Sequence, residues 1–134
     1  MGIDIRWENE LDKRLEEIPD SRNCFAFALA LVQLENTVCL RFIDPYGNTV
    51  LNQKQITVFI NELQWLLQFV TTERVIKLVD KPFRVHNLKT GLVEYRVREK
   101  KLSVDEITEH LHKVLELAQR IKGETHTYLK FHGD

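Results

Sequence analysis

A chain of 134 residues, 43% hydrophobic and 29% charged, is long enough for one packed domain and too apolar to remain disordered. Nineteen basic and twenty acidic side chains leave a net charge of −1, which excludes a global field drawing the protein to nucleic acid or membrane. The longest apolar run, Cys24–Val32, is less than half of the roughly 20 residues that a spanning helix needs.

The near-neutral total hides a segregation. Residues 1–20 hold three basic and seven acidic side chains, net −4. Residues 74–102 hold nine basic side chains against Asp80, Glu94 and Glu99, net +6. Such a block is either a solvated face beside an acidic neighbour or a surface for an acidic partner. The N-terminus has neither a basic n-region nor an apolar h-region, and Arg6 stands where a myristoylation motif needs Ser or Thr. The expected location is cytoplasmic, with Cys24 and Cys39 as buried reduced thiols.

In chain order, Ile3, Ile5 and Trp7 alternate as in a short strand. Asn9 is placed to cap a helix over 10–18, with Leu11, Leu15 and Ile18 on one stripe and Pro19 ending it. In 24–34, large residues (Phe25, Phe27, Leu29, Leu31) alternate with Ala26, Ala28 and Ala30. That favours a strand buried on both faces, while the alanines and the Asp20-Ser21 caps also allow a buried helix. Residues 37–44 read as a strand with Val38, Leu40 and Phe42 on one face. Asp44-Pro45-Tyr46-Gly47 is a turn, and 49–51 is expected to return as a hairpin on 38–44.

Asn52 and Gln55 form a capping-box pattern for a helix over 53–71. Its main stripe is Ile56, Phe59, Ile60, Leu63, Leu66, Leu67 and Val70, and a second stripe is Val58, Trp65 and Phe69 beside Glu62. A helix apolar on two faces is either central in the core or touches another chain. Residues 74–79 suit a strand or a continuation of the helix. Residues 83–86 and 92–100 read as a hairpin with Val93, Tyr95 and Val97 inward and Glu94, Arg96, Arg98 and Lys100 outward, Arg84 and His86 opposite them. Ser103 and Glu106 open a last helix that ends at Gly123, with Val104, Ile107, Leu111, Val114, Leu115, Ala118 and Ile121 inward. A final strand follows over 125–131, with Thr127, Leu129 and Phe131 on one side. The expected architecture is a single α+β domain over 1–134, a mostly antiparallel sheet with about three helices packed on it.

Catalytic signals are weak. His110 and His112 lie about 200° apart around a helix and do not share a face. His126, His132, Asp134 and Asp44 could meet only through folding, and no spacing resembles H-E-x-x-H or C-x-x-C. There is no G-x-S-x-G elbow, and the five glycines are not grouped to cradle a phosphate. Cys24 lies in an apolar run that disfavours its thiolate, and Cys39 has only Arg41 as a neighbouring cation along the predicted strand. The expectation is no catalytic residues, no metal and no cofactor.

Partner binding is the stronger reading. Arg84, Arg96, Arg98 and Lys100 would pair with carboxylates, and Trp65 and Phe69 would serve as apolar anchors. The same aromatics allow homodimerisation. The alternative is a nucleic-acid site on the basic hairpin 84–101. It is weakened by a pI near 6.5 and by Tyr95 facing away from the arginines.

Two stretches carry a resemblance: Val38 to Val50 (VCLRFIDPYGNTV), followed at once by a helix, and the ending His126 to Asp134 (HTYLKFHGD). Together they resemble small bacterial cytoplasmic proteins without a defined activity, some of them immunity-type or accessory proteins of mobile loci. The resemblance covers about a quarter of the chain and brings no catalytic residues. Residues 74–102 depart from it. A weaker similarity is to compact α+β secretion chaperones, usually acidic dimers. Both imply a protein that binds proteins, with a homodimer as the other form of the same reading.

Overall fold

The computed structural model describes residues 2–32, 35–75, 83–86, 89, 91, 93–96 and 102–133, with 83–86 and 93–96 described as backbone. Its strands are β1 (Ile3–Asn9), β2 (Arg14–Ile18), β3 (Asn48–Leu51), β4 (Phe83–His86), β5 (Val93–Arg96) and β6 (Thr127–Gly133). Its helices are α1 (Cys24–Leu31), α2 (Cys39–Phe42), α3 (Gln53–Phe69) and α4 (Val104–Ile121), with a further helical turn at 72–75. An antiparallel sheet of order β2–β1–β6–β3 carries the helices, so the α+β class holds, with more helix than expected. No described helix is long and apolar enough to cross a membrane.

Helix α1 packs on α4, α4 on α3, and α3 on α2, while α3 also contacts β3 and β6. The helix-facing side of the sheet buries Ile3, Ile5, Leu51, Leu129 and Phe131. Phe131, on a central strand, is the hub. It stacks on Phe25 at 5.8 Å and meets Phe59 edge-on at 5.3 Å. β6 crosses at Gly133, where a Cβ would lie 2.4 Å from Pro45 O, so only glycine admits the chain there.

Local signals are obeyed in the second half. The Asn52 side chain accepts from Gln55 N–H at 3.0 Å and the Gln55 side chain accepts from Asn52 N–H at 2.9 Å, a complete capping box. Ser103 Oγ accepts from Glu106 N–H at 3.1 Å, and Gly123 takes φ +87° just past α4. The α4 stripe is buried at Ile107, Leu111, Val114, Ala118 and Ile121, with Leu117 added.

Four expectations in the first half are corrected. Residues 10–18 are not a helix. The Asn9 carboxamide accepts from the N–H groups of Leu11 and Lys13 at 3.0 Å each, and Asp12 takes φ 57°, which turns the chain into the β1–β2 hairpin. Residues 24–31 are a helix, not a strand. Asp20 Oδ1 accepts from Phe25 N–H at 3.1 Å and Oδ2 from Ala26 N–H at 3.1 Å, satisfying donors at the start of α1. The size alternation arises because α1 is apolar on every side and buries Cys24, Phe25, Phe27 and Ala28.

Residues 39–42 are a helical turn rather than a strand. The Glu62 carboxylate on α3 accepts from Cys39 N–H at 2.8 Å and Leu40 N–H at 3.0 Å, and also from Val38 N–H. Cys39, Leu40 and Ile43 go inward while Val38 and Phe42 go out, a helical spacing. Strand 48–51 exists but pairs with β6, Thr49 opposite Phe131, not with 38–44.

Candidate protein-binding surface

The acidic N-terminal segment is occupied by its own fold. Glu17 pairs with Arg6 at 2.8 Å and Arg14 at 2.7 Å, Glu16 with Arg120 at 2.9 Å, and Glu10 with His126 at 2.8 Å. Tyr128 donates its hydroxyl to Asp12 and Glu8, and those carboxylates hold its pKa up to about 12. Asp4 accepts from Asp20 N–H at 2.9 Å. Each carboxylate of residues 1–20 therefore has a partner within the fold.

The histidines do not converge. His126 and His132 stand toward opposite ends of β6, roughly 20 Å apart at strand rise. His126 Nδ1 meets Glu10 within hydrogen-bond reach, but on open surface with the imidazole 75% exposed. His132 Nδ1 lies 2.6 Å from Asn48 Oδ1. Among the described residues no three of His, Cys, Asp and Glu gather in a metal-holding group. Asp134 lies outside the described residues. Both cysteines are buried and neither is in a disulfide. Burial raises the Cys39 thiol pKa and the Glu62 carboxylate raises it further, opposite to activation by Arg41.

His110 is a half-buried titrating group of the fold whose Nε2 is shielded from water. Its Nε2 lies 3.6 Å from Asp20 Oδ1 without a hydrogen-bond partner. Desolvation pushes its pKa below the ordinary value, partly opposed by Asp20 and reinforced by Lys113. A base with a depressed folded pKa contributes stability above its unfolded value and loses it as pH falls through the folded one. The urea midpoint of the wild type is thus expected to drop as pH falls below the ordinary histidine value of about 6.5, and His110→Gln should flatten that drop. His126, raised by Glu10, acts in the opposite sense, losing its small contribution as pH rises through its folded value. An unchanged slope in His110→Gln would remove His110 as the cause.

The apolar surface is the feature left unabsorbed. Eight large hydrophobic side chains are exposed among the described residues, and six of them lie on α2, β3, α3 and the turn between α2 and β3: Val38, Phe42, Tyr46, Val50, Val58 and Trp65. On α3, Val58, Glu62, Trp65 and Phe69 fall at i, i+4, i+7 and i+11, one continuous stripe. α2 is tied to the middle of that stripe through Glu62. Trp65 is 37% exposed, and Phe42 and Val38 are 73% and 60% exposed.

Trp65 and Phe69 do come together, ring centroids 4.9 Å apart. Phe69 is only half-buried against the core, and the Arg74 guanidinium covers its ring at 3.9 Å while donating to Phe69 C=O at 3.0 Å. Trp65 is thus the more open anchor. Phe42 and Val38 are the residues that sequence reasoning missed, because a strand reading put both on one face with Leu40, which is buried.

The basic ribbon is divided by its register. Arg84 pairs with Tyr95 and Phe83 with Arg96. Directly paired positions share a face, so positions 84 and 96 lie on opposite faces of β4–β5, contrary to the expected single basic face. Arg98 and Lys100 lie outside the described residues.

No family model matches the chain, and no match was found among curated proteins or solved structures.

Proposed function

We propose that this chain is a non-catalytic protein-binding module whose contact surface is the α2–α3 face. The observation that carries the reading is the grouping of Phe42, Val38, Val58 and Trp65 on one side, a clustered apolar exposure that a soluble domain keeps for an interface. The rigid α3 stripe presents aromatic anchors of the kind that dominate binding energies. Action would be by steric and electrostatic complementarity, in an immunity-type or accessory role.

Affinity capture from native lysate, with and without nuclease, tests the class of partner. Retention of one protein in both lanes is the expected outcome. Enrichment that vanishes with nuclease, and falls steeply between about 50 and 200 mM salt, would replace this reading by a nucleic-acid site on the hairpin 84–101.

A further inference from the structure

Among the described residues, three buried side-chain polar atoms have no hydrogen-bond partner, and two of them lie one turn apart on α4: Glu106 Oε2 and His110 Nε2. Both approach the loop that leads into α1. Arg22 comes within 3.5 Å of Glu106, and Asp20 Oδ1 stands 3.6 Å from His110 Nε2. Buried polar atoms are nearly always bonded in native folds, so two unmet ones in one seam call for a cause.

The seam ties three elements through one carboxylate. Asp20 Oδ1 accepts from Phe25 N–H at 3.1 Å, and Oδ2 accepts from Ile3 N–H at 3.0 Å and Ala26 N–H at 3.1 Å. The starts of β1 and α1 are closed there, and His110 brings α4 to the same group. The 3.6 Å gap is too long for a charge-assisted N–H···O bond, which forms at about 2.7–2.9 Å. The loop has little freedom to close it. Asp20 N–H donates to the Asp4 carboxylate at 2.9 Å, and Asp20 C=O accepts from Asn23 N–H at 3.0 Å. A Cβ on Gly2 would lie 2.3 Å from that same carbonyl oxygen. A carboxylate swung toward His110 would leave Phe25 N–H unmet.

An imidazolium carries N–H on both ring nitrogens. Protonation therefore puts a charge and an unmet donor into a dry seam. Burial is the largest influence on the ring and disfavours its charge; Asp20 opposes that, and Lys113 on α4 adds repulsion. The neighbouring elements offer no other acceptor. α1 is uncharged, Glu106 is paired with Arg22, and of the two charged residues of α3, Lys54 is exposed and Glu62 is bound to α2.

We propose that Asp20 and His110 form a proton-operated latch. When His110 takes a proton, loop 20–23 and the start of α1 lift from α4, and water reaches the imidazolium. Ile3, Phe25 and Ala26 then lose the carboxylate that closes them. The packing of α3 on β6, Phe59 against Phe131, contains no titrating group and stays closed. The latch uses no residue of α2 or α3, so it stands or falls independently of the α2–α3 contact surface.

Amide hydrogen exchange followed by NMR and corrected for intrinsic rates reads the latch at its three donors. In the wild type, protection of Ile3, Phe25 and Ala26 should fall about threefold or more between about pH 7.5 and about pH 5.5, in step with the titration of the His110 ring. Protection of Phe59 and Leu63 in α3 should change by less. In His110→Gln the three donors should keep constant protection over the same range. Should that variant fail to fold, the comparison of α1 with α3 inside the wild type decides. Protection at the three donors that stays constant or rises on acidification would overturn the latch. A fall shared equally by Phe59 and Leu63 would overturn it as a local opening, and a fall retained in His110→Gln would remove His110 as the seat of the proton.

Discussion

Asp20→Ala is expected to destabilise the protein by about 3–5 kcal/mol, more than any surface change in it. The Asp20 side chain is fully buried and closes three backbone donors at once: Ile3 N–H at 3.0 Å, Phe25 N–H at 3.1 Å and Ala26 N–H at 3.1 Å. It therefore ties the start of β1 to the start of α1. Alanine leaves those donors in a dry site, each costing about 1–3 kcal/mol if unmet. Asp20→Asn should be intermediate. The amide oxygen can replace Oδ2, which serves Ile3 and Ala26, but the NH2 then faces the Phe25 donor. Urea unfolding followed by circular dichroism measures both, and a loss under about 1 kcal/mol in Asp20→Ala would contradict the assignment.

Phe131→Ala is expected to cost about 3–5 kcal/mol, through lost burial plus the cavity left behind. Phe131 is fully buried on β6 and touches the α1 ring Phe25 and the α3 ring Phe59, so its loss loosens two helices from the sheet. Phe42→Ala supplies the contrast. The residue types match, but Phe42 is 73% exposed and the expected change lies within about 0.5 kcal/mol. Equal effects in the two variants would mean that Phe42 is packed, and the surface would lose its most open ring.

What was legible in the sequence divides by the range of the deciding contact. The capping box at Asn52 and Gln55, the Ser103 cap, the Asp44–Gly47 turn and the alternation in β6 act within a few residues, and each stands in the structure where its pattern put it. Residues 37–44 went the other way because Glu62, more than twenty residues downstream, gathers the N–H groups that start α2. The same holds for 24–31, where periodicity was uninformative on an all-apolar helix and a buried Asp20 carboxylate made the choice. Asn9 was read as the cap that opens a helix over 10–18, but its carboxamide closes a hairpin turn instead.

The site followed the same division. The second stripe of α3 was visible from spacing alone, and Trp65 and Phe69 meet as it implied. Phe42 and Val38 were hidden by the strand reading of their segment, which grouped both on one face with Leu40, a residue the structure buries. The ribbon arginines were identifiable by composition, but composition carries no register, and pairing of 84 with 95 separates them.

The central claim is that the α2–α3 face is a protein-contact surface. The most direct measurement compares retention of bound protein, including a second copy of the chain, by the wild type, Phe42→Asp and Leu11→Asp. Both substitutions change an exposed side chain and leave the core alone, so folding is held constant. Phe42→Asp should lower retention at least about 30-fold, the scale of an anchor worth about 2 kcal/mol, while Leu11→Asp leaves it unchanged. Equal retention by all three proteins would contradict the claim.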